Sequence, residues 1–246
     1  MNDEEADFTA RLHQTLRRGE PATMFSAARL LTQDCVLCGA ASEDIVCAGC
    51  RADLTPLPEH HCPVCAQPSP NSLPCGHCLA HPHHFDRSHA VYAYGFPLDR
   101  LIQSFKYGHR LALGPYFGQQ MAELVTHEDI DLIIPLPLHP ERLRERGYNQ
   151  SLVLARPIAR RLGRRLDKEI CQRIRHTASQ AELPWKERAK NMRGAFHCSG
   201  DLSGLRILLV DDVMTTGATL DECARTLKLH GAASVTLAVV ARALRE

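Results

Sequence analysis

The chain has 246 residues, with 29 Lys or Arg against 28 Asp or Glu, enough to bury a substantial core as one large domain or as a medium domain with a small companion. Near-neutral charge argues neither for nor against a nucleic-acid partner, and no apolar run approaches the length of a membrane span. The acidic start, from Met1 to Asp7, is unlike the basic start of a signal peptide; the expected compartment is the cytoplasm, where the eleven cysteines are thiols or metal ligands rather than disulfides.

Residues 1–34 read as an N-terminal extension. Phe8, Leu12 and Leu16 are spaced by four, Glu20 and Pro21 break the pattern, and Met24 to Leu31 resumes it. No function attaches to this segment. From Cys35 the composition changes abruptly: four C-x-x-C pairs, Cys35/Cys38, Cys47/Cys50, Cys62/Cys65 and Cys75/Cys78, place eight of the eleven cysteines in 44 residues. Each pair forms a knuckle whose thiolates meet one tetrahedral ion, and two knuckles complete a site of four thiolates.

Two structural zinc ions are therefore expected, with neighbouring pairs joined in sequence. Few large apolar residues lie here, so metal must supply folding free energy that burial cannot. A redox dithiol or a lost metal site are the competing readings. His60, His61, His77, His81, His83 and His84 read as exposed loop residues, and Leu79 to Asp86 as a linker. A double zinc ribbon over 35–84 and a larger domain over 85–246 follow.

In that larger domain, Ser88 to Tyr94 reads as a strand, and Leu98, Leu101, Ile102 and Phe105 as the apolar stripe of a helix. Lys106 after it is either a solvated helix-end lysine or a group reaching for a phosphate. A second helix is expected over about 115–125, and a buried strand from Ile130 to Ile134, ended by Pro135-Leu136-Pro137. Arg142, Arg144 and Arg146 precede Gly147, and helical spacing resumes with Leu152, Ala155, Ile158 and Ala159. Pro157 should kink that helix or mark a later start.

Between residues 139 and 193 there are fifteen Lys or Arg and six Asp or Glu, a density suited to a polyanion or to a solvated helix face. Residues 175–197 read as a flap that closes over substrate, with Trp185 as its packing anchor. Cys223 falls on the apolar face of the last helix and reads as core; Cys171 and Cys198 carry no motif.

The stretch from Arg206 to Gly231 organises the rest. Ile207 to Val210 reads as a strand buried on both faces, ended by Asp211 and Asp212. The small residues Thr215, Thr216, Gly217, Ala218 and Thr219 follow. Then come Leu220, Cys223, Ala224 and Leu227 at helical spacing, with Thr219 as the helix cap and Gly231 as its stop. A hydroxyl-rich turn at a helix N-terminus offers N–H groups to a phosphate. Carboxylates repel phosphate but accept hydrogen bonds from the vicinal hydroxyls of a ribose, or hold a hydrated Mg²⁺. Sugar at one end and phosphate at the other describe a cradle for ribose 5-phosphate. Neither the lysine of a P-loop nor a G-x-G-x-x-G fingerprint is present, and the bland alternative is an ordinary strand-turn-helix with surface acids.

This segment resembles the signature of type I phosphoribosyltransferases that binds 5-phosphoribosyl diphosphate (PRPP). Strand-helix alternation over the last 160 residues agrees with it, predicting a twisted, mainly parallel α/β sheet with helices on both faces and ligands at the carboxyl ends of its strands. The run from Cys35 onward, roughly six sevenths of the chain, resembles the ComF-type competence family, a double zinc ribbon followed by a phosphoribosyltransferase-like domain. The four C-x-x-C pairs, Phe105-Lys106-Tyr107, Pro135-Leu136-Pro137, Arg146 to Gln150, Arg175-x-Thr177-x-x-Gln180, Arg188-x-x-Asn191, Gly194 to Phe196, and Val210 to Thr219 carry that resemblance.

The resemblance implies that Asp211 and Asp212 hold the ribose hydroxyls and Thr215 to Thr219 the 5-phosphate of PRPP, with Mg²⁺. Lys106, Arg142, Arg144 and Arg146 are candidates for the pyrophosphate or another polyanion. One expected function is transfer of the phosphoribosyl group to a base or amine, with no residue standing out as general base. The other is a non-catalytic accessory of DNA uptake that binds single-stranded DNA and partners of the competence machinery.

Overall fold

The computed structural model describes residues 33–175 and 193–245. Of the expected helical extension over 1–34 only 33 and 34 are described, and of the expected flap over 175–197 residues 176–192, with Trp185, lie outside the described residues, while its end enters a strand at Phe196. The Cys-rich part opens with a short antiparallel pair, β1 (Gln33–Asp34) and β2 (Ala41–Ser42). It includes two one-turn helices, α1 (Ala48–Ala52) and α2 (Gly76–Ala80), which start immediately after the knuckle cysteines Cys47 and Cys75. Both helices are too short to persist without an anchor, and the cysteines at their starts supply one.

The α/β part begins with β3 (Arg87–Ala93), α3 (Leu98–Tyr107) and α4 (Leu113–Leu124). After β4 (Leu132–Pro135), Arg142, Arg144 and Arg146 ride on a short helix, α5 (Pro140–Arg146), which Gly147 ends at φ 80°. Helix α6 (Gln150–Leu162) is followed by β5 (Arg165–Leu166), β6 (Cys171–Arg173) and β7 (Phe196–Cys198). The chain then forms β8 (Arg206–Met214), α7 (Ala218–Leu229) and β9 (Ser234–Arg242).

Five strands pair in the order β3-β9-β8-β4-β5, every pairing parallel. From β4 the chain winds toward one edge, and from β8 toward the other. Strand order thus reverses between these neighbours, and the crevice outside their carboxyl ends is where an open parallel sheet receives ligand.

Side chains of alternate sign of the pleat build two cores. Ile207 and Leu209 of β8 pack with Leu220, Cys223 and Leu227 of α7, together with Phe85 and the cysteines Cys62, Cys65 and Cys78. Leu208 and Val210 pack on the opposite face with α3, α4 and α6, joined there by Val46 and Leu54 of the Cys-rich part. That part also covers the free edge of β3. Ala93 N–H donates to Thr55 O at 3.0 Å and Ser88 N–H to Pro63 O at 3.0 Å, so backbone groups that would otherwise face solvent are paired.

Two expectations change. Strand β8 does not end at Val210 but continues through both aspartates to Met214, because β9 supplies partners as far as Arg242. Pro157 neither delays nor ends α6: Asn149 caps the helix, its Oδ1 accepting from Ser151 and Leu152, and the helix runs through the proline to Leu162. The neighbouring helix makes room for the ring. A Cβ on Gly118 of α4 would lie 2.3 Å from Pro157 Cγ and 2.7 Å from the Leu154 carbonyl, and one on Gly114 would lie 2.3 Å from a Val153 methyl. The two glycines, one turn apart, let the backbone of α4 approach α6.

Replacing Gly118 by Ala should therefore force the helices apart at a cost of about 1–3 kcal/mol. Thermal unfolding checks this, with an expected loss of several degrees; an unchanged midpoint would contradict the close approach.

Candidate functional site

The acid pair sits where β8 leaves the sheet's centre, and both residues are almost closed to solvent, Asp211 at 8% and Asp212 at 3% exposure. Successive residues of a strand point to opposite faces, so each aspartate finds its own partner. Asp211 Oδ1 accepts from Ser151 Oγ at 2.8 Å, in the first turn of α6. Asp212 Oδ1 lies 3.0 Å from Lys106 Nζ, in the last turn of α3. The other oxygen of Asp212, Oδ2, is buried and has no hydrogen-bond partner among the described residues.

These groups shift one another. Burial pushes Asp211 up to about 7, the neighbouring Asp212 carboxylate adds to the rise, and Lys106 and the hydrogen bonds to its oxygens pull partly back. For Lys106, burial works to lower the pKa, but the Asp212 and Asp211 carboxylates outweigh it and hold the ammonium above its usual range. Lys106 thus stays charged at neutral pH, paired with the acids rather than solvated at a helix end.

The surrounding motifs lock this arrangement. Asn149 Nδ2 donates to Leu136 O at 3.1 Å, fixing the loop after β4 to the cap of α6. Tyr148 hydroxyl donates to the Phe105 carbonyl. Arg146 Nη1 donates to Gln150 Oε1 at 2.6 Å, and its guanidinium lies 5.1 Å from the centroid of the Tyr107 ring. Phe105-Lys106-Tyr107 and Arg146-to-Gln150 are therefore one cross-braced unit that delivers Lys106 and Ser151 to the acids. Arg146 is near enough for its charge to act on Lys106. Arg142 pairs with Glu145 at 3.5 Å, and Arg144 is exposed on α5.

Beyond Met214 the chain turns through Thr215 and Thr216 into Gly217, whose φ of 82° suits glycine, and where a Cβ would lie 2.8 Å from Met214 Cε. Gly217 rather than Thr219 is the N-cap of α7, so Thr219 lies inside the first turn. Ala218 N–H donates to Thr216 Oγ1 at 3.3 Å. Among the described residues no backbone carbonyl accepts from the N–H groups of Thr215, Thr216 or Gly217. Asp211, Thr215, Gly217 and Thr219 line a small recess here, with an acid at one end and helix-start N–H groups at the other.

The eight paired cysteines gather as the spacing predicts, Cys35, Cys38, Cys47 and Cys50 in one group and Cys62, Cys65, Cys75 and Cys78 in the other, the sulfurs of each within 4.8 Å of one another. A tetrahedron with metal–sulfur bonds of about 2.3 Å has edges of about 3.8 Å. Cys38 and Cys47 are 3.8 Å apart, Cys62 and Cys78 3.8 Å, and Cys65 and Cys75 3.6 Å. Backbone N–H groups point at the sulfurs, from Cys47 to Cys35 at 3.4 Å and from Cys75 to Cys62 at 3.3 Å, as thiolates require. Both groups fit a structural zinc ion.

Several contributors carried no sequence signal. Ser151 looks like any serine in a helical pattern. The three remaining cysteines meet in the core: Cys171 and Cys198 are opposite in the β6–β7 pair, and Cys171 Sγ is 3.7 Å from Cys223 Sγ. His83 is not an exposed loop residue. It stacks on Phe85 with ring centroids 4.6 Å apart and, with His84, meets Asp221 of α7. Asp86 is docked as well, accepting from Val235 N–H at 2.7 Å, so the expected linker is part of the packed structure. Arg242, a charge closing the apolar run of β9, is 1% exposed.

Comparison with known proteins agrees with the geometry. A double zinc ribbon domain matches residues 27–79, and a phosphoribosyl transferase domain matches residues 149–246. The DNA utilization protein YhgH of Salmonella typhimurium is 37% identical over 191 residues, covering 74% of this chain and 84% of that protein. Competence protein F of Haemophilus influenzae is 31% identical over 209 residues, covering 80% and 90%, and competence protein ComFC of Bacillus subtilis is 27% identical over 209 residues, covering 79% and 82%. With a double zinc ribbon, a parallel phosphoribosyltransferase-like sheet and relatives alike over most of both lengths, the chain belongs to the ComF-type competence family.

Proposed function

We propose that the β8–α7 corner binds PRPP, or a ribose 5-phosphate group, and that the protein transfers the phosphoribosyl group to a base or amine. The observation that carries this reading is the buried, unpartnered Asp212 Oδ2 at the sheet's switch point, because an orphaned acceptor costs about 1–3 kcal/mol unless a ligand donor satisfies it. The 2- and 3-hydroxyls of a ribose are such donors. The unengaged N–H groups of Thr215 to Gly217 then face the 5-phosphate, with the Thr215, Thr216 and Thr219 hydroxyls and the Ala218 N–H around it. Mg²⁺ accompanies the diphosphate and offsets its charge; Arg142, Arg144 and Arg146 on α5 border the same sheet edge and hold the departing pyrophosphate electrostatically. As that bond breaks, positive charge grows on the ribose, and the two carboxylates favour it.

A second reading is favoured by a different observation. Phe96 and Tyr107 are 77% and 67% exposed, and Tyr107 carries Arg146 beside it. Exposed aromatic rings with arginines at a sheet edge suit stacking of unpaired bases. Relatives are called competence and DNA utilization proteins, and on this reading the chain is an accessory that holds single-stranded DNA among the uptake machinery.

Calorimetry with PRPP and Mg²⁺ separates these. The wild type should bind, and the double variant Asp211→Asn, Asp212→Asn should lose at least tenfold to a hundredfold in affinity, about 1.4–2.8 kcal/mol. Pyrophosphate release with a panel of bases then tests transfer, and no turnover despite binding would leave only the accessory role. That role requires binding to single-stranded DNA that weakens steeply with salt; no binding at low salt would remove it.

The acid pair also sets a pH dependence. Asp211 is raised to about 7 by burial and by Asp212, so below that pH it carries a proton in the folded protein and accepts ribose hydroxyls poorly. PRPP affinity should climb as pH rises from 6 to 8, more steeply in the wild type than in Asp211→Asn, which controls for ionisation of the ligand. Folding stability runs the other way. A carboxyl with a raised folded pKa contributes most below the ordinary carboxylate range, and the contribution is lost as pH rises through about 7. At pH 8, Asp211→Asn should be the more stable protein, by an amount on the order of 1 kcal/mol, or roughly 2–4 °C; an equal or lower midpoint would contradict the burial cost.

We also propose that both thiolate groups hold zinc. Elemental analysis after gentle purification should find two ions per chain, and fewer than one would overturn this.

A further inference from the structure

We propose that the second cysteine group, Cys62, Cys65, Cys75 and Cys78, is a positioning element of the phosphate turn, and that Arg242 carries its influence there. The inference rests on the ribose-phosphate reading and adds to it a dependence on one of the two zinc sites.

Arg242 closes β9 and is 1% exposed, its Nε and Nη1 donating to four backbone carbonyls. Nε donates to Cys65 O at 2.7 Å. Nη1 donates to Met214 O at 2.9 Å, to Ala243 O at 2.9 Å and to Thr215 O. A ligand cysteine of the second group and the first two peptides of the turn therefore share one planar, rigid cation.

The geometry of the peptide group gives this consequence for ligand binding. In a planar trans peptide the C=O and the following N–H point opposite ways. Drawing the carbonyls of Met214 and Thr215 toward Arg242 turns the N–H groups of Thr215 and Thr216 away from it. Those are among the N–H groups that no backbone carbonyl accepts. Arg242 thus faces the turn's donors outward, as an anion site needs, and the Cys65 carbonyl is the fixed point against which it does so.

Two further links tie the same segment of chain to the corner. Gln67 Nε2 donates to Ala243 O at 2.9 Å, while its Oε1 accepts from Arg245 N–H at 3.0 Å. His84 gives Asp221, in the first turn of α7, both its backbone N–H at 2.7 Å and an Nδ1 contact at 2.9 Å. Among the described residues the first cysteine group has no such connection. Val46 and Cys50 pack with α3 and α4 on the opposite face, and among the described residues no hydrogen bond joins residues 35–50 to the corner. The two metal sites therefore differ in what their loss does to the ligand.

The test compares full-length variants by PRPP calorimetry, zinc content, thermal unfolding and ¹⁵N resonances of the turn. Arg242→Lys keeps the charge but cannot span four carbonyls. It should bind PRPP at least tenfold more weakly, and the Thr215 and Thr216 amide shifts seen on adding PRPP to the wild type should shrink. Cys75→Ser should do the same with one zinc lost, whereas Cys38→Ser should lose one zinc and bind within about twofold of wild type. A folded Arg242→Lys or Cys75→Ser that binds as wild type would overturn the proposal, as would equal losses in Cys38→Ser and Cys75→Ser. Should Arg242→Lys and Cys75→Ser fail to fold, the Cys38→Ser chain decides alone. Its PRPP binding should persist with the one remaining zinc and vanish when that zinc is chelated; binding that survives chelation refutes the coupling. A wild type that does not bind PRPP at all defeats the ribose-phosphate reading instead.

Discussion

Two neighbouring carboxylates buried in the middle of a parallel sheet are the constraint around which this protein is built. Adjacent acids at 8% and 3% exposure are costly to ionise without compensation, since burial removes water and each would feel the other's charge. Extended backbone limits the damage by sending them to opposite faces. Helices on either side then supply what each needs, Lys106 from the end of α3 and Ser151 from the start of α6. One oxygen is left over. An unsatisfied buried carboxylate oxygen where strand order reverses is a cost to stability, and on the ribose-phosphate reading proposed above a ligand hydroxyl meets it.

That logic explains why the motifs far from the acids have the form they do. Tyr148 reaches the Phe105 carbonyl, Arg146 lies beside Tyr107, and Asn149 holds both the cap of α6 and the loop after β4. Among the described residues none of these side chains hydrogen-bonds an aspartate. Together they fix the helix end that carries Lys106 and the helix start that carries Ser151, and a shift of an ångström in either would leave an acid unpaired. Gly114 and Gly118 serve the same end at longer range, because the close approach of α4 seats α6 with its proline intact.

Much of this was legible in the sequence, and the failures have physical causes. Strands β3, β4 and β8, helices α3, α4 and α7, the sequential pairing of the cysteines and the acid-then-threonine corner follow from periodicity and spacing, since each is set by local chemistry. Strand β8 was expected to stop at its acids because carboxylates are poor strand formers in isolation. It continues because β9 pairs with it at Asp211 and again at Val213 and Met214, which no local pattern records. Thr219 had the right chemistry for a cap, but the left-handed backbone at Gly217 starts the helix two residues earlier. Pro157 looked like a break because the glycines that accommodate it lie some forty residues upstream. His83, Ser151 and Arg242 gain their roles only from long-range partners, and the clearest hint among them was a charge closing the apolar run of β9.

The Cys-rich part is the remaining structural question, since a phosphoribosyltransferase-like sheet can in principle bury its own core. Here it covers the free edge of β3 and lends Val46 and Leu54 to one face and Cys62, Cys65 and Cys78 to the other. Its second cysteine group thereby lies within the hydrophobic core that also holds Met214 and Leu220, on either side of the Thr215–Gly217 turn. A metal-held knuckle is a stiff object, because four bonds fix its backbone where a surface loop would fluctuate. Stiffness placed there is useful only if something on the far side must be held still. On the coupling proposed above, the carbonyls of Met214 and Thr215, gathered by Arg242 against the Cys65 carbonyl, are what is held.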